Sequence, residues 1–428
     1  MSFRSIRWIA ASLLLALPVA AHAQTARVEG MAIQNDYIKD YSNIFTWLSQ
    51  VPNVGNIVYG DLGVGVPVPG GVASTDRAVG AVLGNLWDGR YGTWAIHLHE
   101  ITPQLGEGDQ VSNFNPGDLG SDPNFNTNSA LDLMWGRKFG TTSLGLRFSH
   151  SHSRAEGPGV DMEFGMFDLS PGGIVASLAG DPNLERNSTG FGAGLGFDMN
   201  PNANLELAAL YESRTFKVDS AGTTYEDNGP GAYQLAARIH WQWQPNVMLV
   251  PMFKWYSFDL SSKRTGTVAY DNSLKGWQLG LAGNWTLGTN DLFVLGADVA
   301  GNRVEQDNVG LLGIDVNGDG VADYTASKIS ETSTPDIFAA LETHVNSWLT
   351  LRFGASKAAW HNVKLEDPGT TVKLNDAPFL MRLGAGVKVG TLMVDGVLSN
   401  DFPHNLPFFV SGATTANMFP KVTATYTF

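Results

Sequence analysis

The chain of 428 residues contains no cysteine. Disulfide frameworks and thiolate metal sites are thereby excluded, and a chain that must cross an oxidising compartment is spared wrong pairings. Charge is also scarce. Asp, Glu, Lys and Arg make up 16 % of the residues, against about 25 % in ordinary soluble domains. The charge present is mostly negative, with 41 acidic against 27 basic side chains and a net charge of −14. That balance argues against nucleic acid as a partner, because phosphate backbones call for a basic surface. Beyond residue 24 there is no unbroken apolar run of the about 20 residues that a membrane-crossing helix needs, so a helical membrane protein is excluded as well.

Catalytic signatures are missing too. The sequence has no Gly-x-Ser-x-Gly elbow, no His-Glu-x-x-His and no phosphate loop. His150 and His152 alternate with Ser149, Ser151 and Ser153, which reads as a polar rim at the top of a strand rather than as a hydrolase site. No enzyme is expected.

What is abundant is glycine and aromatic side chain: 49 Gly, 22 Phe, 12 Trp and 11 Tyr. The N-terminus reads as a secretory signal peptide over residues 1–23. Arg4 and Arg7 form its positive end, Trp8 to Ala20 its apolar stretch, and Ala21-His22-Ala23 its small-x-small cleavage pattern.

From residue 56 onward, apolar and polar residues alternate with period two, the signature of strands wet on one face only. In Tyr233 to Gln244 the odd positions are Tyr, Leu, Ala, Ile, Trp and Trp, while the even ones are Gln, Ala, Arg, His, Gln and Gln. Residues 189–199, 277–287 and 379–389 repeat the pattern, with small or polar residues such as Gly190, Gly192, Gly194, Gly196, Gln278 and Gly384 on the second face. Tight turns at 88–91, 140–142, 200–202, 244–246, 288–290, 346–348 and 389–391 alternate with long polar links near 66–76, 106–128, 158–188, 220–229, 263–273, 307–328, 366–375 and 403–415. Lipid outside, water inside and short turns alternating with long loops define a transmembrane antiparallel β-barrel, here of about 16 strands. The closing segment Lys421 to Phe428 alternates in the same way and stops at phenylalanine. It resembles the terminal strand of bacterial outer-membrane barrels, which implies the Gram-negative outer membrane as location, its phospholipid and lipopolysaccharide as surroundings, and the barrel-assembly machinery as a partner that reads Phe428. An apolar outer face looks the same against lipid as against another barrel, so a homotrimer is compatible with it.

The polar parity places a mixed set of charges on the inner face: Arg147, Glu206, Glu212, Arg214, Arg238, His240, Lys254, Asp298, Glu342, Arg352 and Arg382 as pore-lining candidates, with His97, His99, Asp132 and Asp395 beside them. Basic and acidic sides facing each other across water orient a polar solute by their field. Link 158–188 is the longest, and loops of that length are usually functional or disordered. It carries Asp161, Glu163-Phe164-Gly165 and Asp168. In rank, length and that Glu-Phe-Gly core it resembles the third outer loop of general porins, which implies a constriction folded into the lumen. Met162 and Met166 stand where that family carries proline and glycine.

Two further stretches carry expectations. Residues 24–55, ahead of the barrel proper at 56–428, place Tyr37, Ile38, Tyr41, Ile44, Phe45 and Leu48 at the spacing of a short amphipathic helix. Such a segment cannot face lipid, so it is expected in the lumen or at the periplasmic mouth. Gly30-Met31 and Asp40-Tyr41-Ser42-Asn43-Ile44-Phe45 resemble the N-terminal hatch of the long-chain fatty-acid transporter family, although Thr46-Trp47-Leu48 follows where that family carries Asn-Pro-Ala. The resemblance implies a plugged barrel that takes up hydrophobic molecules. Finally, Asp315, Asn317, Asp319, Val321 and Asp323 fall at positions 1, 3, 5, 7 and 9 of a Ca²⁺ loop with Gly320 at 6, but position 12 is Ala326 and not glutamate. Weak Ca²⁺ binding is expected there, and no cofactor is required. The first functional expectation is therefore an outer-membrane channel for passive diffusion of small solutes, and the alternative is a plugged transporter for hydrophobic molecules.

Overall fold

The computed structural model describes residues 25–63, 77–84, 86–99, 130–156, 183–220, 223–227, 231–259, 262–264, 272–306, 313–314, 324–325, 328–367, 370–376, 379–398 and 421–428. The wall begins with β1 (Ile57–Gly63), β2 (Arg77–Leu83), β3 (Thr93–His99) and β4 (Ala130–Phe139). It continues with β5 (Thr142–Glu156), β6 (Asn183–Asn200), β7 (Ala203–Ser220) and β8 (Ala232–Gln244). Next come β9 (Val247–Asp259), β10 (Asn272–Leu287), β11 (Asp291–Gln306) and β12 (Lys328–His344). It ends with β13 (Leu349–Ala358), β14 (Phe379–Val389), β15 (Leu392–Leu398) and β16 (Lys421–Thr427). Each pairs antiparallel with its neighbours in sequence, and β16 pairs back onto β1 from Ile57↔Thr427 to Gly63↔Lys421, so the 16 strands form a closed barrel. Closure leaves no strand edge to the hydrocarbon, where an unpaired amide has no water to bond.

The outer surface explains the period-two pattern. Leu98, Leu133, Leu146, Phe191, Leu279, Leu295, Ile337 and Phe353 are exposed large apolar side chains in the middle of the wall. Around the short-turn end stand Tyr91, Phe139, Trp241, Trp243, Trp348, Tyr426 and Phe428, and around the other end Tyr233, Trp255, Trp277 and Phe379. An apolar belt between two aromatic girdles is the lipid-facing surface of an outer-membrane barrel, and the chain resides in the outer membrane of a Gram-negative bacterium. The short-turn end is the periplasmic one. Three of those turns depend on glycine, since Gly140, Gly288 and Gly390 have φ of +61, +59 and +65°.

Strand lengths differ around the wall. β6 and β7 are 18 residues long, β10 and β11 are 16, and β1, β2, β3, β15 and β16 are 7 each. About 9–11 residues cross the hydrocarbon, so the long strands stand above it on one side. Several of the expected outer links, 220–229 and 366–375 among them, accordingly contain strand. Thr223–Asp227 pairs with β7 and with Ser262–Arg264, while His361–Asp367 and Thr370–Asp376 form a hairpin beside the upper half of β12. There the wall also bulges: the register shifts between Asp298 and Ala300 opposite Asp336 and Ser333. Pro335, which has no N–H to donate to a ladder, lies in that bulge.

Candidate functional site

Residues 25–56 do not join the wall but pass through the lumen. The helix α1 (Ala26–Glu29) is followed by 3₁₀ turns at Asn35–Tyr37, Tyr41–Phe45 and Leu48–Asn53. The short amphipathic helix expected from Tyr37 to Leu48 is absent, for a physical reason. One apolar face implies one wet face along the helix, and here only Lys39 is exposed while Tyr37, Ile38, Ile44, Phe45, Trp47 and Leu48 are all 0 or 1 % exposed. With wall on several sides, the backbone follows its contacts rather than a 3.6-residue period. Side chains cap the short turns in place of long ladders. Thr25 accepts from the Val28 amide, and Asp40 accepts from the Ser42 amide at 3.0 Å.

Two groups of contacts hold the segment. The first surrounds α1 and is ionic. Arg27 donates from Nε and Nη2 to the two Glu342 oxygens, both at 2.8 Å, and reaches the Lys39 carbonyl at 2.9 Å and Asp40 at 3.2 Å. Glu342 also accepts from Arg352 at 2.6 Å, and Arg352 donates in turn to Asp395 at 2.6 Å. Burial disfavours the Arg27 charge, but Glu342 and Asp40 more than offset it and hold the guanidinium protonated beyond its ordinary range. Glu29 pairs with Arg382 and lies 3.9 Å from Lys421. The Ala26 amide donates to the Thr423 hydroxyl at 2.8 Å. Close backbone approach is built in as well, since a Cβ on Gly354 would overlap the Met31 carbonyl.

The second group surrounds 35–51 and combines buried charge with apolar packing. Asp36 accepts from Lys254 Nζ at 2.8 Å and from the Trp47 indole N–H at 2.7 Å. Arg238 donates to Glu206 at 2.6 Å and to the Asp36 carbonyl at 2.7 Å, and its guanidinium lies over the Trp47 ring at 4.3 Å. Ser49 donates to Glu206 at 2.8 Å, and Gln50 also bonds this carboxylate. Arg147 bridges Asp132 and the Phe45 carbonyl, each at 2.9 Å. The inward glycines of β5 and β6 form a slot for Leu48 and Ser49; a Cβ on Gly145 would overlap the Leu48 carbonyl. Around these charges Met31, Ile33, Tyr37, Ile38 and Trp47 pack on an apolar patch of the inner wall made by Ala208, Ala236, Val250, Met252, Ala282, Val294, Phe338 and Ala340. Tyr37 stacks obliquely on Phe338 with ring centroids 4.8 Å apart.

The candidate residues read from the sequence fall as follows. Arg147, Glu206, Arg238, Lys254, Glu342, Arg352 and Arg382 join these two groups, with Asp132 and Asp395 as partners. His240 is buried with Nδ1 3.4 Å from Glu206. His97 is within 3.0 Å of the Tyr59 hydroxyl and edge-on to Phe45. Glu212 and Asp298 are buried on the same inner face, and Asp298 is directly opposite Asp336. His99 and Arg214 lie on β3 and β7, with side chains outside the described residues. Asp161, Glu163 and Asp168 also lie outside them. So do Asp315, Asn317, Asp319, Val321 and Asp323, which fall between the two strands of a ribbon, Gly313–Ile314 and Tyr324–Thr325.

Sequence reasoning missed the segment's own half of the site: Arg27, Glu29, Asp36, Asp40, Trp47, Ser49 and Gln50. A signal was present, in that Asp36 and Asp40 interrupt an apolar stretch and call for cationic or N–H partners. Asp336 was missed because parity counting fails across the Pro335 bulge.

No family model matches the chain, and no curated protein matches its sequence. Among solved structures, the toluene transporter TodX of Pseudomonas putida is 10 % identical with a TM-score of 0.41, over 95 % of this chain and 96 % of that one. A FadL homologue of Pseudomonas aeruginosa is 11 % identical with a TM-score of 0.41, over 95 % of this chain and 99 % of that one. The copper transporter OprC is 12 % identical with a TM-score of 0.40, over 80 % of this chain and 61 % of that one. Likeness this distant says nothing of substrate or mechanism.

Proposed function

We propose that this chain is a plugged outer-membrane transporter for small hydrophobic or amphipathic molecules, with residues 25–56 as its gate. The observation that carries the reading is the pairing of two apolar surfaces inside the lumen. Met31, Ile33, Tyr37, Ile38 and Trp47 cover an inner-wall patch from Ala208 to Ala340 that would otherwise face water. A wall built only for hydrated solutes has no use for such a patch, because each apolar square ångström left wet costs about 25 cal/mol. When the segment shifts, the patch becomes a greasy track that apolar cargo can occupy in its place. The diffusion-channel reading needs Arg147, Arg238, Lys254 and Arg352 to face passing solutes, whereas here they bond the segment or the carboxylates that hold it.

The test is single-channel conductance of the refolded mature protein in planar bilayers beside a variant lacking residues 24–55, followed by uptake of a labelled fatty acid and of a sugar into liposomes bearing each protein. A nearly silent wild type, a conducting deletion variant and preferential passage of the fatty acid are expected. Steady wild-type conductance equal to that of the deletion variant would overturn the gate, and equal passage of the sugar would overturn the substrate class.

A further inference from the structure

The outer wall of β3–β6 carries a depression of about 360 Å³ that the reading above does not use. Its walls are Trp94, Leu133, Trp135, Leu146, Phe148 and Phe191. Leu133, Leu146, Phe148 and Phe191 are 37–57 % exposed, so their side chains face outward into the membrane. The volume lies at the lower end of the range of small-ligand sites, about 300–1,000 Å³.

One wall of the depression is held in place. The Trp135 indole N–H donates to the Tyr91 carbonyl at 2.6 Å. Gly92, at φ +83°, lets this turn pack closely on β4: a Cβ there would stand 2.6 Å from the Gly136 carbonyl oxygen and 3.3 Å from the Arg137 Cβ. The same packing sets the turn that carries Arg90 beside Arg137 at the periplasmic rim. Arg90 lies over the Tyr91 ring at 5.7 Å and Arg137 over the Phe139 ring at 5.3 Å. Both are exposed, and neither forms an ion pair among the described residues, whereas neighbouring Lys138 is held by Asp198 at 2.8 Å. Asp88 shares the turn with Arg90 but pairs with neither guanidinium.

We infer that this depression is a docking site for one anionic phospholipid of the periplasmic leaflet, with an acyl chain along Trp94, Trp135, Leu146, Phe148 and Phe191 and the phosphate on Arg90 and Arg137. The spacing fits. Arg137 is two residues beyond Trp135 on the same face of β4, roughly 7 Å toward the periplasm, which is where a headgroup stands relative to the start of its chain. Guanidinium groups match phosphate oxygens in pairs and stay charged at any physiological pH. The charge complementarity is local: the chain as a whole is at −14, so two cations on one lipid-facing rim, neither of them in an ion pair among the described residues, select an anionic occupant over a zwitterionic one. Lipopolysaccharide is excluded as the occupant by the leaflet, because the short turns mark the periplasmic side.

The test is native mass spectrometry of the full mature protein released from detergent with an equimolar mixture of phosphatidylglycerol and phosphatidylethanolamine of identical chains. Wild type is expected to keep one phosphatidylglycerol in about 30-fold preference, from two surface arginines at the strength usual for basic residues at anionic membranes. R90Q/R137Q is expected to fall to parity between the two lipids. L146W, which fills the depression and leaves both arginines in place, is expected to lose the retained lipid altogether. Equal retention of the two lipids by wild type, or an undiminished preference in R90Q/R137Q, would overturn the headgroup site. Unchanged retention in L146W would overturn the groove and leave only a basic rim. Because both variants change outward-facing side chains, the far-UV strand signal and the thermal unfolding midpoint should match wild type in each, and that readout separates loss of the lipid site from loss of the fold.

Discussion

The luminal segment is fixed at two places by different physics. Around α1 the contacts are ionic and partly wet: the Arg27 side chain keeps 24 % of its exposure, and its partner Glu342 has a second cation in Arg352. Around Asp36 and Trp47 the charges are dry, since the side chains of Arg238, Glu206 and Asp36 are each 0 % exposed and Lys254 is 1 % exposed. A partly hydrated pair contributes little because water competes for both partners. A dry pair is not strongly stabilising as a pair either, but removing one member strands the other without solvent. The first place therefore behaves as a loose tether and the second as a latch.

That contrast is open to direct attack, and the absence of cysteine supplies the readout: a single Ile33→Cys, 4 % exposed in the native residue, lies between the two places and is the only thiol available to a periplasmic maleimide. The largest effect is expected from Arg238→Met. It leaves the buried Glu206 carboxylate with Ser49 and Gln50 but without its guanidinium, costs about 3–5 kcal/mol, and should speed labelling by at least about 100-fold. Asp36→Asn, which removes the carboxylate that accepts from Lys254 and Trp47, should cost about 2–3 kcal/mol, within the usual worth of hydrogen bonds to charged groups. The smallest effect is expected from Arg27→Ala, about 1 kcal/mol at most, because Glu342 keeps Arg352 and the site is partly hydrated. Combining Arg27→Ala with Arg238→Met should give the sum of the two costs to within about 0.5 kcal/mol. A larger coupling would show that tether and latch are one device, and an Arg27→Ala effect equal to that of Arg238→Met would erase the distinction.

How much of this was legible in the sequence follows from the same physics. The wall was readable because lipid imposes the same demand on every strand: residues 379–389 were expected as strand, and Phe379–Val389 is one; 277–287 appears within Asn272–Leu287. Inner-face parity placed Arg238, Lys254 and Arg352 on one face because alternation has no exceptions between bulges. It failed at Asp336, where Pro335 shifts the register. Residues 25–56 were harder. Their conformation answers to partners hundreds of residues away, such as Arg27 with Glu342, and no local period records that. The inward glycines of β6, small residues on the second face of the pattern, form the slot that receives Leu48 and Ser49. Absence of side chain there is the imprint of another part of the chain.

The hydrogen bond from Ala26 to Thr423 joins residues 397 positions apart. The seat for the first turn of the segment is made by β14, β15 and β16, the strands synthesised last and exported last. During biogenesis the segment thus emerges before its receptor exists and must wait while the wall is assembled. Its docking is coupled to ring closure rather than preceding it, so a truncated chain lacking β16 should leave α1 unseated, however well the first strands have formed.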